Sequence, residues 1–565
     1  MKKLKIFFIV IFFILLAIPV VTFRTEENAV SEVDNRMLAA NPVSAIREGE
    51  DATQAIENYV NDRIGLRNEM IELYTVGHDK IFHEMIHPSY VYGKDGYVFL
   101  NTGGNPIFSD YHIAFADMIK KIQDYCEARG VPFLFVFEPA KTTVLQEKLE
   151  QGWNYDNQWV QQFLKELDRR EIRYVDNTEI LEEKTEEGEK VFNKKYDGGH
   201  WNELGAFYGV NHILEGLSEQ GVPVHINTKE EFSVHEETME KLLLSEIPIH
   251  EKVPVYERNA EVKCLTEQYS PEVRRDESFN HFNYYVNEQR VAEGVPRTLV
   301  FQGSYLNGLG SKFLENSLGE YISVHDYRNI FDFDYYFTMF QPECVVFEVA
   351  EYTFIEDYFP YEQIKTMNLP PVLESFEEMP EENLTMPETM YQVEEGQIYE
   401  VISIEGLSAD TQYAYLQEGN QVFDLVRRED GVYTTTVEKQ LLNVDNISII
   451  AVESGKKSAI IKKTGKCRGR NLGRVRRKSY EEENVAIVHV SDARGYSGMW
   501  KKWETTGGIC KGKPVRCKRA EESGYERIRG ACIVEGDPCK SESSDRSFGS
   551  DRGCDRETSS GSHGQ

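Results

Sequence analysis

Apolar residues run from Ile6 to Phe23, interrupted only by Pro19 and Thr22, behind Lys2, Lys3 and Lys5. That length is near the short end of a membrane-spanning helix, about 17–25 residues. The lysines place the start of the chain in the cytoplasm and the body outside. No small-x-small cleavage site and no cysteine directly abuts the run, so residues 1–29 read as an uncleaved anchor rather than a signal peptide or lipoprotein leader. Residues 24–105 then read as mostly helical and polar. They end in Tyr92-Gly93-Lys94-Asp95-Gly96-Tyr97-Val98-Phe99-Leu100, where Lys-Asp-Gly signals a turn and Tyr97 to Leu100 a short strand.

From 106 to about 220 the pattern alternates between the two periods. Helical spacing over Tyr111–Ala128 closes at Gly130, and the continuous apolar run Val131–Phe137 predicts a buried parallel strand. A helix over Asn157–Arg170, a strand over Ile172–Val175 and a helix over Glu203–Leu217 follow. Residues 221–296 are acidic and polar and read as an insertion. The rhythm resumes with a strand at Thr298–Phe301, a helix at Leu306–Ser317 and strands at Tyr321–Val324 and Cys344–Val349. This βαβ order predicts an α/β domain over 30–369, a parallel sheet with helices on both faces. A Pro- and Glu-rich stretch, Pro370–Glu388, reads as a linker. Alternating strands with turns at Glu418-Gly419-Asn420 and Glu429-Asp430-Gly431 predict a small all-β domain over 389–465. Residues 466–565 turn abruptly rich in Arg, Gly, Ser and Cys without periodicity, as a disordered tail or an out-of-frame translation would.

Composition narrows the function classes. The 565 residues are 40% hydrophobic and 12% aromatic, enough for a large core, and carry a formal net charge of -32. A general nucleic-acid binder would show a basic face, and the charge argues equally against a broad electrostatic grip on an anionic polymer, so glycan contacts are expected from aromatics and hydrogen bonds or from a local basic groove. Of nine cysteines, Cys126, Cys264 and Cys344 precede residue 466 and the rest lie in the tail. No CxxC pair occurs, which argues against a zinc ribbon or a thioredoxin-like site.

Two motifs carry candidate chemistry. In Lys195-Tyr196-Asp197-Gly198-Gly199-His200-Trp201-Asn202-Glu203 an Asp precedes a His by three residues, in a glycine-loosened loop ahead of a helix. Such a loop either aims both side chains at one nucleophile or lets Asp197 hold the His200 tautomer; the plain alternative is a surface loop capping a helix. In Thr298-Leu299-Val300-Phe301-Gln302-Gly303-Ser304-Tyr305 a buried strand ends in Gly-Ser and a helix begins at once. That puts the Ser304 hydroxyl at the carboxyl edge of a parallel sheet, where open α/β folds bind ligands, beside helix-start N–H groups suited to an oxyanion; an ordinary Ser N-cap looks the same. His83-Glu84-Met85-Ile86-His87 fits a zinc-protease pattern, but Pro88 ends any helix there and no third ligand is evident, so no metal is expected. His325-Asp326, Glu348 and Glu351 lie at predicted strand ends, within reach of the same edge.

Both motifs, the anchor and the GKDGYVFL segment resemble the AlgX/AlgJ-type polysaccharide O-acetyltransferases of the SGNH hydrolase-like superfamily. Ordinary SGNH hydrolases place the serine first; here Asp and His come first and Ser late, as in that branch. The resemblance spans about residues 30–360. It implies Ser304 as nucleophile, His200 as base and Asp197 as its orienting acid, although two residues rather than the branch's usual one separate Asp197 from His200. Phe137-Glu138-Pro139-Ala140-Lys141 matches the strand-end Pro-x-Lys loop. Lys141, with Trp201 and Tyr305, is expected to contact substrate; Trp153 is another candidate for stacking on a sugar. The expected activity is extracytoplasmic transfer of acetyl groups to a cell-surface or exported polysaccharide through an acetyl-serine. A membrane-bound O-acyltransferase partner would supply the acetyl group, and no cofactor is implied. A carbohydrate esterase with the same triad and a non-catalytic glycan-binding assembly protein are the alternatives.

Overall fold

A computed structural model describes residues 2–461, apart from 26–29, 32–35, 48, 102–105, 154, 388, 429 and 442–446. The tail expected over 466–565, with its six cysteines, lies outside the described residues. The apolar run forms one 20-residue helix, α1 (Lys2–Val21), which buries none of its apolar window against the protein. Three short helices follow: α2 (Pro42–Arg47), α3 (Ala52–Arg63) and α4 (Arg67–Phe82). Asp51 caps α3 by accepting the N–H groups of Thr53 and Gln54, as a free helix start requires. His83 ends α4 with a left-handed φ of 59°. The two histidines of the His83–His87 motif therefore share no helix, and His87 Nε2 lies 3.3 Å from the Glu72 carboxylate instead.

Beyond α4, β1 (Tyr90–Tyr92) and β2 (Val98–Leu100) pair antiparallel around the Lys94–Gly96 turn. The α/β domain is then assembled from α5 (Asp110–Ala128), β3 (Phe133–Glu138), α6 (Gln158–Arg169), β4 (Tyr174–Asp176), α7 (Glu203–Glu219), β5 (Phe232–Lys241), β6 (Pro248–Arg258), β7 (Lys263–Cys264), β8 (Phe282–Val286), β9 (Arg297–Gln302), α8 (Ser311–Ser317), β10 (Glu320–His325), α9 (Phe333–Phe340) and β11 (Cys344–Ala350). Its sheet runs β4-β3-β11-β9-β10-β8-β7. The first five strands are parallel. They are apolar and buried because both faces are covered: α5, α6 and α9 pack on one side around Phe115, Phe163, Phe301 and Phe347, α7 and α8 on the other around Val136, Val300, Val210 and Phe313.

The expected insertion over 221–296 is only partly an insertion. The long hairpin β5–β6 pairs with itself alone, whereas β7 and β8 extend the main sheet antiparallel. Likewise, the stretch expected to link the domains contains a strand. Glu381–Thr385 pairs parallel with Lys456–Ile461 at the edge of the eight-stranded C-terminal sheet. The two halves are tied by Glu272, whose carboxylate accepts the N–H groups of Gln397, Ile398 and Tyr399, and by an Arg129–Asp424 ion pair of 2.8 Å. Cys126, Cys264 and Cys344 are free thiols.

Candidate active site

The sheet brings the two motifs together at its carboxyl edge. β9 ends at Gln302 and the chain turns through Gly303 and Ser304 into a π-helical turn, Tyr305–Gly310. The Gly303 N–H donates to Glu348 Oε2 at 2.5 Å, from the adjacent strand β11, which sets the direction in which the Ser304 hydroxyl leaves the sheet.

The Asp-Gly-Gly-His loop is held from three sides. β2 takes its backbone: Val98 N donates to Lys194 O at 2.9 Å and Leu100 N to Gly198 O at 2.8 Å. A Cβ on Gly198 would lie 2.9 Å from Leu100 N, so this approach needs glycine. From below, the Lys141 ammonium donates to Val98 O and Asp197 O, both at 2.8 Å, and the Tyr305 hydroxyl lies 2.7 Å from Pro139 O and 2.8 Å from Gly199 O, its one proton shared between the two carbonyls. From the side, the Glu251 carboxylate on β6 accepts the N–H groups of Lys194, Lys195 and Tyr196 at 2.6–2.7 Å.

The outcome is one hydrogen-bonded chain. His200 Nδ1 lies 2.9 Å from Asp197 Oδ2, and His200 Nε2 lies 2.7 Å from Ser304 Oγ. Asp197 Oδ1 also accepts the N–H groups of Gly199 and His200 at 2.9 and 3.0 Å. Burial alone would raise the Asp197 pKa; the His200 ring and these two N–H groups outweigh it and hold the carboxyl below its ordinary value. An ionised Asp197 fixes Nδ1 as the protonated nitrogen and leaves Nε2 as the acceptor facing Ser304. The cleft outside this row is walled by Leu243, Val253 and Pro254 of the hairpin and by Leu309 of the π-helical turn.

Three expected substrate contacts are corrected. Lys141, Trp201 and Tyr305 are fully buried. Lys141 spends its N–H donors on backbone carbonyls, and burial pushes its ammonium down to about 8. Trp201 packs in the core between sheet and α7, with its indole N–H on Tyr305 O at 3.1 Å. All three support the loop from inside and cannot stack on a sugar. Trp153 is partly exposed. The strand-end acids also have inward roles: Glu351 accepts from Ala140 N, Thr143 Oγ1 and Tyr155 OH, and Asp326 and Glu348 are wholly buried. Among the described residues no cluster of three metal-ligating side chains occurs.

Sequence reasoning passed over two residues. Tyr352 follows β11, and its hydroxyl lies 2.8 Å from His200 Nε2 and 3.2 Å from Ser304 Oγ. Its only signal was its place just past a buried strand of the same sheet. Glu251 gave no signal, because its partners are backbone groups more than fifty residues away.

Residues 91–284 match the family model described as SGNH hydrolase-like domain, acetyltransferase AlgX. The AlgX-type resemblance therefore holds. The matched stretch takes in Asp197 and His200 and stops before Ser304. None of the curated proteins matches the chain. Similar solved structures include Bacillus cereus PatB1 with a sulfonyl adduct (16% identity, 47% of this chain and 94% of that one, TM-score 0.37). The O-acetyltransferase domain of Pseudomonas putida AlgJ aligns at 16% identity over 50% of this chain and 99% of that one, with a TM-score of 0.35. Pseudomonas aeruginosa AlgX aligns at 11% over 66% and 90%, with a TM-score of 0.30. At these TM-scores the likeness is partial.

Proposed function

We propose that this protein is an extracytoplasmic O-acetyltransferase that moves acetyl groups onto hydroxyls of a cell-surface or exported polysaccharide, by way of an acetyl ester on Ser304. The observation that supports this most is the Asp197–His200–Ser304 chain of hydrogen bonds, set in a domain whose sequence matches an acetyltransferase family.

In the first half-reaction His200 Nε2 takes the Ser304 proton as Oγ attacks the carbonyl carbon of the acetyl donor. The bond to the donor's leaving oxygen breaks, and the imidazolium returns the proton to that oxygen. Asp197 stabilises the imidazolium without taking the proton. In the second half-reaction a sugar hydroxyl gives its proton to Nε2 and attacks the acetyl carbon; the Ser304 ester bond breaks and Oγ regains the proton. The Tyr352 hydroxyl, in reach of both Nε2 and Oγ, is placed to donate to the charge that develops on the carbonyl oxygen. Transfer outruns hydrolysis only if the acceptor is held close and oriented, a task for the hairpin-walled cleft. Acetyl-CoA is not available outside the cytoplasm, so the donor is taken to be a membrane-bound O-acyltransferase that passes the acetyl group across. Helix α1 keeps the body beside it.

Ser304→Ala and His200→Ala should each cut cleavage of an activated acetyl ester by about 10³–10⁶-fold, the double variant being little worse than either, because such residues act as a unit. A sulfonyl-fluoride reagent should label Ser304 and nothing in Ser304→Ala. Wild-type rates in Ser304→Ala would overturn the assignment. Acetate release from an acetylated glycan, with no transfer to any acceptor, would make the protein an esterase. Protease added to intact protoplasts should degrade the body; its protection would refute the extracytoplasmic placement.

A further inference from the structure

Helix α4 is inside out. Its polar side faces the protein: Glu72 accepts Glu246 N at 2.9 Å and lies 3.3 Å from His87 Nε2, Asp79 accepts the Tyr92 hydroxyl at 2.6 Å, and Thr75 is fully buried. Its apolar side faces outward. Met70, Leu73, Tyr74 and Ile81 recur at spacings of three, four and seven residues and so line one face of a 3.6-residue helix, with exposed Glu69 and Lys80 along its margin. Leu73 is 78% and Ile81 70% exposed. Gly77 shares this face, and a Cβ there would meet nothing within 4 Å. A water-facing helix has the opposite pattern.

The feature is regional. Among the described residues, ten large exposed apolar side chains fall between Val43 and Phe82, against seven over all of 83–461. Apolar side chains gathered on one exposed helix face in this way mark a contact surface. The position of the patch indicates what covers it. The corner between α3 and α4 is stitched to the end of α1: Gly65 N donates to Pro19 O and Arg24 N to Arg63 O, both at 2.9 Å. Gly65 comes so close that a Cβ would overlap Thr22 Oγ1 at 1.9 Å. Helix α1, 20 residues long, spans about 30 Å at 1.5 Å per residue, the thickness of the hydrocarbon core. Its last turn, and with it the start of α4, is therefore level with the membrane surface. A protein partner seated on α4 would leave α1 bare. One medium, the lipid bilayer, covers both.

We propose that the outer face of α4 lies in the headgroup–acyl boundary of the membrane, as an interfacial helix continuous with the α1 anchor. Apolar area sunk into that boundary holds such helices flat along it. The contact also sets the pose of the catalytic cleft, because Glu72 grips the Ser245–Glu246 turn of the β5–β6 hairpin and that hairpin walls the cleft. The cleft is thereby held at a fixed height above the bilayer from which the acetyl group is proposed to come. The inference rests on α1 remaining in the membrane.

The test uses the full chain in phosphatidylcholine–phosphatidylglycerol vesicles, with the photoreactive amino acid p-benzoylphenylalanine in place of Ile9, Leu73 or the exposed Glu378, one at a time. Wild-type ester cleavage by each variant shows that the body is folded. The expected result is phospholipid adducts at Ile9 and at Leu73, the latter at least about tenfold above Glu378, as apolar burial in the interface requires. Adducts at Ile9 with Leu73 no higher than Glu378 would overturn the interfacial helix and leave the anchor standing. Crosslinking of Leu73 to a second copy of the chain would overturn it in favour of a protein interface. Adducts at Leu73 without any at Ile9 would refute the anchor and, with it, the interfacial helix as its continuation, and adducts at neither would likewise refute both.

Discussion

The Tyr352 hydroxyl lies 2.8 Å from His200 Nε2, the nitrogen that Ser304 Oγ approaches to 2.7 Å. An imidazole held by Asp197 at Nδ1 has one lone pair at Nε2, so the two hydroxyls cannot both donate to it. With Ser304 donating to the ring, Tyr352 is left to donate to Oγ, 3.2 Å away, or to an oxyanion forming beside it. Tyr352→Phe removes only that donor. It should lower kcat for acetyl-ester cleavage by about 10²–10³-fold, the range for one oxyanion donor, and leave KM and thermal stability near wild type. Steady-state kinetics decide this; an unchanged kcat would make Tyr352 a bystander.

Asp197 has two tasks that different substitutions separate. It holds the His200 tautomer, and it accepts two backbone N–H groups of its own loop. Asp197→Asn keeps an oxygen for the loop but lets the ring adopt the wrong tautomer. It should cost about 10²–10⁴-fold in kcat with little change in melting temperature. Asp197→Ala should lose as much activity and also melt earlier, because buried N–H groups left unpaired cost about 1–3 kcal/mol. Equal melting temperatures for the two variants would show that the loop does not depend on this carboxylate.

Behind Ser304, burial holds the carboxyls of Asp326 and Glu348 well above their ordinary values of 3.8 and 4.5, and Asp326 pushes Glu348 up further. Such acids keep protons in the folded state that the unfolded chain gives up. Their contribution to stability is thus full below the unfolded values and is lost as pH rises towards the folded ones. Asp326→Asn cannot ionise, so relative to wild type it should gain stability as pH rises from the unfolded carboxyl value into the neutral range. Urea melts across that range give the difference directly; acids remote from Asp326 cancel in it, and Glu348, which Asp326 pushes up, adds to it. Parallel curves would mean that Asp326 is ionised in the folded protein.

The buried parallel strands were legible because both faces are covered and the apolar runs are unbroken, as in Val131–Phe137 and Cys344–Val349. Ser304 was legible for the same reason: a Gly-Ser step at the end of such a strand points to the sheet's carboxyl edge. Strands on sheet edges were not. Glu381–Thr385 is exposed along its whole length and looks like the linker around it, and β7 and β8 are short and antiparallel inside a polar stretch. Trp201 and Tyr305 looked like sugar-stacking groups because they adjoin His200 and Ser304, but a residue next to a strand-end loop often turns into the core, as both do here. Tyr352 depended on β11 lying beside β9 in the sheet, a tertiary fact that one sequence without its pairing does not carry.

The hairpin outside the sheet acts on the site through Glu251. Its carboxylate gathers three consecutive backbone N–H groups, those of Lys194, Lys195 and Tyr196, directly ahead of Asp197. Leu243 N adds a bond to Tyr196 O at 3.0 Å. Consecutive N–H groups converging on one carboxylate fix the local backbone, and here they fix the approach of the Asp-Gly-Gly-His loop to Ser304. Glu251→Ala should cost about 2–3 kcal/mol of stability, since each hydrogen bond contributes about 1 kcal/mol net and more when one partner is charged. It should also lower kcat by about 10–10²-fold, because a displacement of about 1 Å in a reacting group is worth that much. Glu251→Gln keeps one oxygen acceptor and should fall between the two. Amide hydrogen exchange at residues 194–196 supplies a readout that general destabilisation does not mimic: in Glu251→Ala it should speed up there while the amides of β3 and β9 stay protected. Loss of stability with wild-type kcat and unchanged exchange at 194–196 would show that the hairpin braces the fold and does not position the catalytic loop.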